Sequence, residues 1–136
     1  MDWIFRLTYG CDLRQSIENF CQHHNIKSAI IVTAVGSLYQ EVIRLADGHS
    51  TVCLNERYEI VSLTGTISED GSHLHIALAD SQGRVIGGHV CYGCLVNTTA
   101  EIALRSLDGS YRLNRQFDEQ SGYNELVITE TKEDLK

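Results

Sequence analysis

Glycine punctuates this chain: it holds 11 glycines and no proline, and the glycines fall between runs of β-rich residues. Asp47-Gly48, Asp70-Gly71, Ser81-Gln82-Gly83 and Asp108-Gly109 each read as a tight turn. The intervening stretches, Tyr58 to Ser68, Ser72 to Ala79, Val85 to Val90 and Tyr111 to Phe117, are predicted strands. Ala29 to Val35 is an uninterrupted apolar run and predicts a central buried strand. Gly36-Ser37 is expected to break it, with Leu38 to Leu45 resuming as a second strand. Ile4 to Tyr9 alternates apolar and polar residues as a first strand would. Leu126 to Thr129 reads as a late edge strand, and Leu95 to Leu107 fits either a strand or a short helix.

One segment has a helical period instead. Asp12 suits an N-cap, with Gln15 as its capping-box partner. Leu13, Ile17, Phe20, Cys21 and His24 follow at helical spacing, so an amphipathic helix is predicted to about Asn25. Many short strands and one early helix predict an α+β fold, a single compact domain over residues 1–130 with a mainly antiparallel sheet packed on one principal helix. Residues 131–136 are polar and are expected to form a frayed tail.

Composition narrows the partners. A net charge of −7, with scattered basic residues, disfavours direct binding to nucleic acid, whose recognition rests on clustered Lys and Arg. An anionic membrane surface is disfavoured on the same grounds. No apolar run is long enough to cross a bilayer, and Met1 to Arg6 lacks the layout of a signal peptide, so a cytoplasmic protein is expected. Cys11, Cys21, Cys53, Cys91 and Cys94 form an odd set that reads as reduced thiols. Cys91-Tyr92-Gly93-Cys94 has redox-motif spacing without a second pair or a helix to open.

The chemistry gathers on one predicted hairpin. Residues two apart in a strand share a face, so His73 and His75 point the same way. If Asp80 and Arg84 close a three-residue loop with Gly83 left-handed, Leu78 faces Ile86, Ala77 faces Gly87 and Ile76 faces Gly88. His75 then lies opposite His89, and His73 opposite Cys91. Directly opposed Cβ atoms are roughly 4.5–5.5 Å apart, close enough for two imidazoles to share a metal. Gly87 and Gly88 leave room for a bulge or for a second backbone.

Three imidazoles are a ligand set for catalytic zinc, with an open fourth position, whereas addition of Cys91 would close the sphere. Copper, nickel and iron take the same ligands. A plainer reading stands beside this one, in which the histidines pack or form a polar cluster at an interface. A one-residue slip at the glycines would also turn His89 away. Elsewhere, His23 and His24 suit the end of the helix, where its dipole favours imidazolium, and His49 reads as solvated. Glu59 is a candidate buried acid, hydrogen-bond partner to a metal-ligating histidine, or general base. Asn97 and Glu101 interrupt an apolar stretch.

The order of motifs resembles the PPC (plants and prokaryotes conserved) family. The matching pieces are Gly10-Cys11-Asp12-Leu13, Ala34-Val35-Gly36-Ser37, Tyr58 to Ile67, and above all Gly71-Ser72-His73-Leu74-His75 with Asp80-x-x-Gly83-x-Val85-x-Gly87-Gly88-His89. The resemblance runs from about Arg6 to Leu107. It implies a sheet-and-helix fold assembled as a homotrimer, with His73, His75 and His89 as a metal-binding set of the prokaryotic, stand-alone type. Plant members carry a DNA-binding AT-hook, which this sequence lacks. Cys91 departs from the family pattern. The leading expectation is therefore a trimeric protein holding a divalent metal, zinc by preference, with a small-molecule ligand or a metal-assisted step near the subunit boundary. The alternative is a non-catalytic oligomerisation or regulatory module that meets DNA only through a partner.

Overall fold

The computed structural model describes residues 1–131. In chain order it contains β1 (Asp2–Thr8), α1 (Leu13–His23), β2 (Ala29–Arg44), β3 (Thr51–Leu54), β4 (Tyr58–Ser68), β5 (Gly71–Ala79), β6 (Val85–Val90), β7 (Leu95–Ser106), β8 (Tyr111–Phe117) and β9 (Asn124–Glu130). The α+β reading holds: one domain, a mainly antiparallel sheet, one short helix. The expectation of a frayed tail falls, apart from Thr131, outside the described residues.

Asp12 starts α1 as expected, its Oδ1 accepting the Gln15 backbone N–H at 2.9 Å. The reciprocal half of the capping box does not form, because the Gln15 side chain donates to Asn19 Oδ1 instead. Asp12 Oδ2 accepts from the Gly93 backbone, so the cap also ties the helix to the loop before β7. Leu13, Ile17 and Cys21 form the buried face. Asn25, with φ of 53°, turns the chain out of the helix, and the Ile26 N–H donates back to the Cys21 carbonyl at 2.8 Å.

The main sheet runs β1-β7-β2-β4-β5-β6, with β3 also on β2. Its far edge then curls round: β6 pairs back onto the end of β2, at Ile43↔Val90 and Arg44↔His89, so β2, β4, β5 and β6 close on themselves. The core fills this curl and the space under α1, with Leu74, Ile76 and Leu78 of β5 and Ile102 and Leu104 of β7 among its members.

Gly36-Ser37 does not break the strand. β2 is continuous for 16 residues and absorbs the irregularity in register shifts against β7. A Cβ on Gly36 would lie 2.4 Å from the Thr99 carbonyl oxygen, so glycine there permits β7 to approach rather than ending β2. Leu95–Ser106 is a strand throughout, because Ala100, Ile102 and Leu104 alternate inward while both edges are paired. The short β3 has no counterpart among the predicted strands. β9 is not an edge of the main sheet; it pairs with β8 in a separate two-stranded ribbon. That ribbon docks through buried Leu113, whose N–H donates to Ser28 Oγ, and through the Arg115 N–H, which donates to Asp70 Oδ2 at 2.8 Å.

Candidate metal centre

The β5–β6 ribbon has the register that the turn chemistry dictates. Asp80 N–H donates to the Arg84 carbonyl at 2.9 Å, Gly83 N–H donates to the Asp80 carbonyl, and Gly83 has φ of 79°. Pairing follows as Ala79↔Val85, Leu78↔Ile86, Ala77↔Gly87, Ile76↔Gly88 and His75↔His89. The two glycines serve close approach of backbone on both sides of β6. A Cβ on Gly88 would sit 2.6 Å from the Arg44 carbonyl oxygen of β2, and one on Gly87 2.2 Å from the Ile76 carbonyl oxygen of β5.

This ribbon brings His73, His75 and His89 together. Ring centroids are 5.0 Å apart for His73–His75, 5.3 Å for His73–His89 and 5.8 Å for His75–His89. One nitrogen from each lies within 4.8 Å of the others. A tetrahedral ion with bonds of 2.0–2.1 Å needs nitrogen–nitrogen edges of about 3.3 Å, within reach of side-chain rotation on these fixed strands. The donor chemistry also fits. Burial, reinforced by Arg44, His73, Arg14 and His75, pushes the His89 imidazole down to about 4. Burial, with His75 and the arginines, lowers His73 as well. Both imidazoles are therefore held neutral, the form that binds a metal. His89 Nδ1 is buried and has no hydrogen-bond partner.

Cys91, which the hairpin register would set across from His73, is outside this group. The ladder with β5 ends at His75↔His89, and the Cys91 N–H instead donates to the Val42 carbonyl of β2. Its Sγ lies 3.9 Å from the His89 carbonyl oxygen. Cys94 is buried with its thiol pushed up to about 11 by burial, and it donates to the Val42 carbonyl, so it does not behave as a thiolate nucleophile.

Glu59 pairs with Ala79 at the opposite end of β5, whereas His75 pairs with Thr64. At about 3.3 Å per residue it lies too far along the strand to reach these histidines within one chain. It is exposed, beside Asn97 in another cleft. His24 caps α1 and packs on Trp3 and Phe20. His49 is exposed in the turn after β2, its N–H donating to Asp47.

Several residues around the triad were not singled out in the sequence. Arg14 spans from the helix to both strands, its guanidinium donating to the Val90 and Ser72 carbonyls at 3.2 and 3.1 Å while lying over the Tyr92 ring. Glu18, one turn on, accepts the Ser72 N–H and hydroxyl and the Tyr92 hydroxyl. Burial alone would raise the Glu18 carboxyl, but those hydrogen bonds and Arg14 hold it below its usual range. Together they lock Ser72, and with it the start of the His-x-His segment. Their i,i+4 spacing on α1 was the available signal. Arg44 lies across from His89, and Arg115 reaches in from β8 to donate to Thr66 Oγ1 beside His73.

Glu41, also absent from the sequence candidates, is fully buried on β2 with Oε2 unpartnered and Oε1 accepting from the Glu56 N–H. Burial, with a contribution from the Glu56 charge, pushes its carboxyl up to about 7, against a usual 4.5. Between those pH values the folded state holds a proton that the unfolded chain releases, so this group lowers stability as pH rises from 4.5 to about 7. Glu41→Gln removes the ionisation. The variant is expected to gain on the wild type across that window, by about 1–3 kcal/mol at pH 8. Urea unfolding of both proteins at pH 5 and pH 8 reads this, and an equal difference at the two pH values would contradict it.

Comparison with known proteins places this arrangement in a family. A segment of the "Bifunctional protein GlmU" of Synechococcus sp. (strain JA-3-3Ab) is 47% identical over 129 residues; the match covers 94% of this chain and 20% of that protein. The chain thus spans about a fifth of the length of the curated relatives it matches first. Among solved structures, a hypothetical protein from Salmonella cholerae-suis superposes with a TM-score of 0.91 at 34% identity, covering 96% of this chain and 94% of that one. A metal-containing protein from Archaeoglobus fulgidus superposes with a TM-score of 0.77 at 28% identity, covering 93% of each. The profile of the Plants and Prokaryotes Conserved (PCC) domain matches residues 2–108, which include every strand of the closed sheet and all three clustered histidines. The chain belongs to the Plants and Prokaryotes Conserved family, the one its His-x-His and Gly-Gly-His segments resemble.

Proposed function

We propose that this protein binds a divalent metal ion, with zinc favoured by the imidazole donors, through His73, His75 and His89, and that it works as a homotrimer. The observation that carries the metal reading is the convergence of three imidazole nitrogens within 4.8 Å on one ribbon face. The solved relative from Archaeoglobus fulgidus is a metal-containing protein, which supports the same reading. Zinc on three imidazoles keeps a fourth position that takes water or a small ligand. The odd cysteine set suits the reducing cytoplasm.

A second reading is a non-catalytic oligomerisation or regulatory module, associated with DNA only through a partner. It draws on the outer face of the sheet, where Ile4 of β1, Val32 and Val35 of β2 and Val61 of β4 stand 80%, 49%, 59% and 58% exposed. Apolar residues gathered on one face suit self-association. The match to one fifth of a bifunctional protein also suits a module.

Metal content of protein purified without a tag or chelator tests the first reading. About one equivalent of zinc per chain is expected. No metal, with no change in thermal stability on adding zinc, would leave the module reading. Light scattering tests assembly: a mass about three times the 15.2 kDa of one chain is expected, with a shift to monomer in Val61→Asp. A trimer unchanged by that substitution would remove this face from the interface.

A further inference from the structure

Beside the triad lies a cleft of about 780 Å³ lined by His73, His89, Arg14, Arg44, Arg115 and Tyr123 among others. In a chain of net charge −7, three arginines have been gathered around two of the clustered histidines. Arg14 is already committed to Glu18, to two backbone carbonyls and to the Tyr92 ring. Arg44 and Arg115 are different. Among the described residues neither guanidinium has a carboxylate partner, and Arg44 Nε is buried without any hydrogen bond. The cleft's two carboxylates do not answer them: Asp70 accepts the Arg115 backbone N–H, and Glu125 stands exposed on β9.

Among the described residues the Arg115 guanidinium donates to Thr66 Oγ1 alone, at 3.3 Å. A guanidinium buried in part with no carboxylate partner is costly unless a ligand supplies the counter-charge, and a metal ion on the histidines would add to the local positive charge. The planar fork of arginine matches the oxygens of a carboxylate or phosphate, and two such forks can orient one anion. Arg115 comes from β8, beyond residues 2–108 that the family profile matches, so the β8–β9 ribbon completes the cleft over a surface the matched region supplies.

We infer that this cleft binds a small anion through a carboxylate or phosphate group held by Arg44 and Arg115 next to the three histidines. The inference rests on the metal reading only in placing an ion beside the anion. Zinc-loaded protein, its metal content measured first, is titrated by calorimetry with inorganic phosphate and separately with malonate. Saturable binding is expected, weakened about tenfold or more in Arg115→Gln and Arg44→Gln with zinc content unchanged. Arg115→Lys keeps the charge and loses the fork, so it is expected to fall between Arg115→Gln and the wild type. Arg84→Gln, at the turn of the ribbon and paired with Asp80, is expected to bind as the wild type does. Tighter phosphate binding assigns a phosphorylated ligand and tighter malonate binding a carboxylate; either supports the cleft. If Arg44→Gln fails to fold, the two Arg115 variants decide the result. No saturable binding of either probe, or equal affinity in Arg115→Gln, overturns the inference. If the wild type holds no zinc, the metal reading fails separately, and the same titrations on metal-free protein decide the cleft by the same criteria.

Discussion

His89→Ala is expected to abolish stoichiometric metal binding, weakening affinity by about a hundredfold or more, because it removes a ligand outright where loss of a supporting residue already costs 10–100-fold. In metal-free protein at neutral pH the same substitution is expected to cost only about 1 kcal/mol. The imidazole packs partly against its neighbours, but its Nδ1 is buried with no partner, so truncation also removes an unsatisfied polar group. This separates the two readings of the triad: a structural histidine would be missed in the absence of metal, and a ligand would not. The pH dependence adds a sign. The His89 imidazole titrates near 4 in the folded state against 6.5 in the free side chain, so the unfolded chain takes up the proton first and the folded state loses stability as pH falls through that interval. The alanine variant lacks this loss and is expected to gain on the wild type as pH falls from 6.5 to 4. Zinc competition at neutral pH and urea unfolding with chelator at both pH values read the three effects. A large stability loss without metal, and ordinary zinc affinity, would show the histidine to be structural.

Gly88→Ala is expected to cost the fold about 3 kcal/mol or more. Glycine to alanine usually stabilises a permissive site by about 0.4–1 kcal/mol through the unfolded chain. Here the added carbon would stand 2.6 Å from the Arg44 carbonyl oxygen and 2.7 Å from Ile43 Cγ2. The first of these is backbone in a paired strand and has little freedom to move. Relief has to come from parting β6 and β2, which opens the closed curl and carries His89 away from His73 and His75. Zinc affinity is therefore expected to fall with stability. Gly83→Ala is the control: nothing lies within 4 Å of its added carbon, and only its φ of 79° opposes substitution, at a cost of about 1 kcal/mol. Urea unfolding of both variants measures the contrast. Equal costs would mean that the seam between β6 and β2 is not a tight contact in solution.

The local parts of this protein were legible in its residues. The cap at Asp12, the turn from Asp80 to Arg84 and the resulting His75↔His89 register all depend on neighbours in sequence, where backbone preference and a side-chain period of two operate without help. Glu41 shows where that logic stops. Alternation counted on from buried Leu38 would point Gln40 and Val42 inward, but a register shift between Leu38 and Gln40 resets the phase, so Glu41 and Ile43 face the core. Cys91 fails for a related reason: β6 leaves β5 after His89 and continues on β2, so extending one ladder no longer says what lies across. Arg44 and Arg115 reach the histidines through contacts remote in sequence, one through closure of the sheet and one through docking of a separate ribbon. By itself, the sequence determined the helix, the hairpin and the convergence of its histidines, because turns and strand period are local. Only the tertiary structure decided which charges surround the histidines, because pairing between distant strands depends on how the whole core packs.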